Sequence, residues 1–286
     1  MGSVFSSLAY GMAHGAFLGF DNWVNYAVQV LAGDMPAWDV IVNTVSSVLR
    51  PFALTIIAIC LLIEIAQVSA KVDMLKWEHG LKLAVKMVFA RVAIDIAPLF
   101  LRATYAQAAQ WIGGLMNFGT EAEFGRRVLN DLSPLVQQTT GTFDALGLFV
   151  FMLIPLLALQ ICGLVIVVIA YGRMFELYIY LAVSPIPMAF FPLGNGDGGG
   201  FSRISGKFLR SFAAVCLQGV MMIVCIRVFG EVMNAAITRG LANAATATTS
   251  NGHINELLMV MLLGSIVLVA SVVKSGTWAK SLLDAA

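Results

Sequence analysis

Between Ala145 and Pro192 the chain carries only two charged residues, Arg173 and Glu176, in an otherwise apolar run. Roughly 20 such residues suffice to cross the hydrocarbon core of a bilayer. As one unbroken helix to Ser184 the run measures about 60 Å, roughly twice that thickness. Something must bend or protrude. Gly172-Arg173 is the expected bend, because glycine weakens a helix and arginine is unwelcome in lipid. The run then meets Ser184-Pro185-Ile186-Pro187. Both prolines lack the N–H that would pair the carbonyls of Leu181 and Val183. The residues before them, Ser184 and Ile186, are biased away from helical geometry. Met174 to Ser184 is therefore expected to be a short helix of about 16 Å that does not span. Broken backbone at membrane depth persists only where protein buries it or water reaches it. A surface-lying amphipathic helix is the competing reading.

The rest of the composition agrees with a bilayer. Of 286 residues, 59% are hydrophobic and 12% charged, the latter about half the usual share for a soluble domain. The fold class is all-α: a polytopic membrane protein with about five transmembrane helices plus the proline-broken re-entrant or interfacial helix. A net charge of +1 argues against nucleic-acid binding by bulk electrostatics. Cys60, Cys162, Cys216 and Cys225 lie in apolar runs without a CxxC pair, as buried free thiols do. His14, His79 and His253 are scattered, so no metal or other cofactor is expected. Gly206-Lys207 precedes Phe208 rather than Ser or Thr, which excludes a phosphate-binding loop. No HExxH, GxSxG or Asp-rich motif occurs, and an enzyme is not expected.

Five regions follow. Residues 1–43 hold Gly11, Gly15, Gly19, three aspartates (Asp21, Asp34, Asp39) and interfacial aromatics; they read as extracytoplasmic helices lying along the membrane surface. A crossing by residues 4–20 is the rival. Residues 44–102 contain two spans around a basic cytoplasmic loop. Arg50 is expected to snorkel to the interface, Pro51 to open the first span, and Glu64 to lie near its other end. In the second span Arg91 and Asp95 are four residues apart, on one face, where they neutralise each other. Residues 103–144 form an extracytoplasmic segment, and 145–192 hold the third span plus the non-spanning helix. Residues 193–286 contain a basic loop (Arg203, Lys207, Arg210), the last two spans and a short cytoplasmic tail.

Cytoplasmic loops collect Lys and Arg. If 145–192 crosses once, Lys71, Lys76, Lys82, Lys86, Arg203, Lys207, Arg210, Lys274 and Lys280 fall inside. Only Arg102, Arg126, Arg127 and Arg239 then fall outside. If it crosses twice, the later loops swap sides and the bias disappears. The single crossing puts the N-terminus outside and the C-terminus in the cytoplasm.

The stretch YGRMFELYIY, Tyr171 to Tyr180, followed by SPIPMAFF, resembles the signature region of the polytopic inner-membrane subunit of conjugative type IV secretion systems. This is the TrbL-like family, equivalent to the sixth VirB component, in the version from conjugative elements of Gram-positive bacteria. Lys274 to Ser281 (KSGTWAKS) and Arg50-Pro51 are similar to it too. The resemblance implies a non-enzymatic membrane platform for passage of a relaxase-linked single strand. It also implies other secretion-system membrane subunits, transfer ATPases and a coupling protein as partners, in a homo-oligomer in the lipid bilayer. On that reading Tyr171, Gly172, Arg173, Glu176, Ser184, Pro185 and Pro187 form the functional motif. Glu64, Arg91 and Asp95 supply intramembrane charge, and Arg203, Lys207 and Arg210 contact a cytoplasmic partner or DNA. The alternative is a small-solute secondary transporter with a proline-broken binding helix; against it, no second such segment or internal repeat is found.

The charge distribution makes a direct prediction. A cysteine at Ser250 should react with an impermeant thiol reagent on intact cells, and one at Ser202 should not; the reverse pattern would overturn the orientation.

Overall fold

The computed structural model describes residues 2–33, 37–70, 77–117, 125–126, 128–130, 142–190, 200–246 and 250–284. Every extended element among them is helical: α1 (Gly2–Ala32), α2 (Trp38–Val40), a π-helix (Ile41–Ser46), α3 (Ser47–Ala70), α4 (Trp77–Asn117), α5 (Thr142–Val183), α6 (Pro185–Met188), α7 (Gly200–Thr246) and α8 (Ser250–Asp284). Four stretches among the described residues are long and apolar enough to cross a membrane: Trp38–Ile63, Val150–Val183, Arg203–Arg239 and Met259–Leu283. The chain is thus an all-α polytopic membrane protein. The second span expected from the sequence lies in α4, whose apolar surface is interrupted by Lys86, Arg91 and Asp95.

The chain divides into two compact units. The first comprises Met1–Gly33, Ala109–Arg173 and Gln218–Ala279; the second comprises Asp34–Ala108, Met174–Leu217 and Lys280–Ala286.

In the first unit α1 is one continuous helix, although the sequence reads as punctuated by glycines. Its buried positions Ala13, Phe17, Phe20, Val24, Ala27 and Leu31 alternate four- and three-residue steps, the 3.5-residue period of a helix seam. That seam packs on Met152, Leu156 and Ile166 of α5 and on Met222 and Ile223 of α7. Inside a bilayer lipid tails are as apolar as leucine, so close packing and polar contacts must supply the cohesion. Gln160 supplies one such contact. Its Nε2 donates to the Ala16 carbonyl, while its Oε1 accepts from Trp23 Nε1 at 3.1 Å. About three turns on from Gln160, the Tyr26 and Tyr171 hydroxyls meet at 2.6 Å. Partners on α1 and α5 advance together, so the two helices run in the same direction. Cys162 Sγ donates to Ser265 O at 3.5 Å, and Arg173 lies at Gly276, so α8 runs the same way. α7 opposes α8: Gln218 Nε2 donates to Gly276 O at 3.2 Å and Cys225 Sγ to Ser271 O at 4.0 Å. Successive helices α5, α7 and α8 therefore alternate in direction.

In the second unit α2, the π-helix and α3 follow without a gap from Trp38 to Ala70. Pro51 is accordingly inside the helix, not in its first turn as the sequence suggests, because the helical path begins well upstream at Trp38. Ala53 and Ile57 of α3 pack with Ala90 and Ile94 of α4 and with Ala189; small side chains on both helices allow close approach.

Candidate functional site

The motif from Tyr171 onward begins on the last turns of α5. Helical hydrogen bonding runs without interruption through Gly172-Arg173 to Val183. Arg173 is held by a neighbouring helix. Its guanidinium reaches α8, with Nη2 only 2.6 Å from where a Cβ on Gly276 would sit. Gly276 leaves a seat for the charged head, and an alanine there would push it aside. Gln218 completes the seat from α7. Its carboxamide carbon is 3.7 Å from the same point, its Nε2 holds the Gly276 carbonyl, and its buried Oε1 has no hydrogen-bond partner among the described residues. Tyr171-Gly172-Arg173 and Lys274-Ser275-Gly276, about a hundred residues apart in sequence, thus meet at one point. Gly172 faces open space, with nothing within 4 Å of a Cβ.

Sequence reasoning did not single out the other polar anchors of this unit. Arg227 of α7 donates from Nε to Leu115 O at 3.1 Å and from Nη2 to Met116 O at 2.9 Å. Leu115 and Met116 lie in the last turn of α4, where unpaired carbonyls and the negative end of the helix dipole favour a cation. Asp21 is buried. Its two oxygens accept the Gly125 N–H at 3.0 Å and the Arg126 N–H at 3.3 Å. A Cβ on Gly125 would lie 2.3 Å from the Phe17 carbonyl oxygen, a backbone atom that cannot yield. The signal available in the sequence was a lone amide or carboxylate within an apolar stretch, as at Gln160 and Gln218.

The remainder of the motif lies in the second unit. Ser184 keeps helical geometry, φ −48° and ψ −34°, against the expectation that the residue before proline leaves it. Its Oγ donates to Leu181 O at 2.8 Å, the carbonyl that Pro185 leaves without its usual donor. The hydroxyl substitutes for the missing N–H, and its own N–H reaches the same carbonyl at 3.3 Å. Helical bonding then resumes, with Met188 N to Ser184 O at 3.3 Å and Ala189 N to Pro185 O at 3.2 Å. Ile186 lies within this turn, and Pro185 and Pro187 are buried. The Ser-Pro-Ile-Pro segment is therefore an added helical turn rather than a stop. Around it, Tyr105 Oη donates to Met174 Sδ at 3.5 Å, Tyr178 Oη accepts from Ala37 N at 3.4 Å, and the Tyr180 ring lies 5.5 Å from that of Phe208.

The other expected site residues stand apart from this turn. Arg203, Lys207 and Arg210 are all exposed, and their spacing puts them on one face of the first turns of α7. Arg91 and Asp95 pair at 3.3 Å. Arg50, expected to snorkel, reaches Asp95 instead, at 4.0 Å. Glu176 is half-buried in α5; Glu64 belongs to α3, with its side chain outside the described residues, as are Lys71 and Lys76.

Apolar helices in alternating directions, with polar side chains turned onto backbone groups, define a multi-pass membrane protein. The chain belongs to the family described as TrbL/VirB6 plasmid conjugal transfer like protein, whose model matches residues 34–185. It is thus a conjugal-transfer membrane component. The matched range includes Arg50, Arg91, Asp95 and the motif through Pro185, and stops short of Gly276. No curated protein and no solved structure matches the chain.

The two kinds of glycine can be separated experimentally. Gly125→Ala should lower the thermal stability of the detergent-solubilised protein by about 1–3 kcal/mol, the cost of overpacking. Gly172→Ala, unhindered in a helix, should be neutral or stabilising by up to about 1 kcal/mol. Equal effects would contradict these placements.

Proposed function

We propose that this chain is a non-enzymatic platform subunit of a conjugative type IV secretion system that helps a relaxase-linked single strand across the cytoplasmic membrane. The family match over residues 34–185 carries this reading, because it covers the charged helix pair and the motif up to Pro185 together. The alternation of α5, α7 and α8 supports an odd number of crossings after residue 142, and the Lys and Arg bias of the loops supports an outside N-terminus and a cytoplasmic C-terminus. On this orientation Arg203, Lys207 and Arg210 lie at the cytoplasmic mouth. There three guanidinium or ammonium groups on one helix face suit the acidic surface of a transfer ATPase or coupling protein, or a phosphate backbone. Arg173 serves in assembly: seated at Gly276, it ties the proline-bearing helix to the C-terminal one. The Ser184 turn carries α5 onto Ala53, Ile57, Ala90 and Ile94 through Ala189.

The test is transfer itself. Pro185→Ala with Pro187→Ala restores two backbone donors and makes the Ser184 hydroxyl redundant. It should lower conjugation frequency at least tenfold while the membrane level of the protein stays near normal. Normal transfer by that variant would remove the turn from the mechanism.

A further inference from the structure

The outward side of α4 is an apolar band broken by charge. Val85, Val88, Phe89, Val92, Ile96 and Leu99 are between 42% and 66% exposed, as residues facing lipid or another protein would be. Within this band the side chains of Arg91 and Asp95 are 57% and 44% exposed. Arg50 of α3 joins them at 39%. Two arginines thus share one carboxylate among the described residues, leaving a formal charge of +1. The sharing is also poor: the second contact is 4.0 Å, and the buried Nε of Arg50 has no acceptor among the described residues. An unmatched charge at mid-bilayer costs about 3 kcal/mol or more, so this face does not suit lipid. It also does not suit bulk water, given its six large apolar neighbours.

We infer that this face of α3 and α4 docks a membrane-spanning helix of a partner subunit that carries one carboxylate at the depth of Arg91. Charge complementarity selects that occupant. One acid neutralises the triad, gives the guanidinium N–H groups an acceptor, and covers the apolar band at the same time. Pairing of buried opposite charges fixes register and partner choice, because removing either member leaves an uncompensated charge. The inference rests on the placement of α4 in the membrane and not on the transfer role. It also accounts for α4 being too charged to qualify as a span by composition: it crosses in company.

The experiment places the full chain, labelled with a donor fluorophore, in lipid vesicles with acceptor-labelled synthetic polyleucine helices. One helix carries a central Glu, the second Gln and the third Lys at the same position. The Glu helix should associate at least tenfold more strongly than the Gln helix, and the Lys helix more weakly than either. Arg91→Gln should reduce Glu-helix binding to the Gln level. Val88→Glu, at an exposed position one turn away, supplies the acid internally and should do the same while keeping every arginine, so the conclusion does not hang on one variant folding. Equal binding of all three helices would overturn the inference. So would self-association of the chain that Arg91→Gln abolishes, which would give the face to a second copy. Reaction of Val92→Cys with an impermeant thiol reagent in the vesicles would overturn it too, by showing water there. Because none of these readouts measures conjugation, their failure would leave the platform reading standing.

Discussion

Inside hydrocarbon a polar group has no water to turn to, and the first unit is organised by where its few polar side chains find partners. Four are turned onto backbone groups of another segment: Gln160 onto Ala16, Gln218 onto Gly276, Arg227 onto Leu115 and Met116, and Asp21 onto Gly125 and Arg126. Apolar packing alone would tolerate sliding by a turn, since one leucine-like surface resembles the next. A carboxamide that must meet one particular carbonyl does not tolerate it. These contacts set register, and register puts Arg173 beside the only residue type that leaves room for its head, Gly276.

The same rule explains why the proline segment is not a break. A lost backbone donor in a membrane helix needs a replacement, and serine, with its short hydroxyl, is well suited to supply one. Ser184 does so at Leu181, and the helix resumes toward the cluster formed with α3 and α4. Where the charge is left incompletely matched, at Arg50, Arg91 and Asp95, the protein presents it on an exposed face.

Much of this was legible in the residues. Apolar runs of bilayer length, the pairing of Arg91 with Asp95, and the motifs at Tyr171–Pro187 and Lys274–Ser281 all point to a polytopic conjugal-transfer component. Local rules misled where a tertiary partner compensates. Arg173 reads as unwelcome in an apolar helix because its seat at Gly276 is about a hundred residues away. Pro51 reads as a helix start because the upstream π-helix has no sequence signature. Ser184 reads as a terminus because the preference before proline is a bias that a single hydroxyl bond can offset. For Arg173 the missing information was a distant backbone position, and for Pro51 and Ser184 it was the bonding of the adjoining turn.

The register of α1 against α5 is the claim on which this account most depends, and a disulfide measures it. Trp23 Cβ lies 3.0 Å from the position of a Cβ on Gly163, whereas Ile161 is exposed on the outer side of α5. With the four native cysteines replaced by alanine, Trp23→Cys should oxidise readily onto Gly163→Cys in membranes and not onto Ile161→Cys. No bond to residue 163, or equal bonding to 161, would contradict the packing that Gln160 is held to fix.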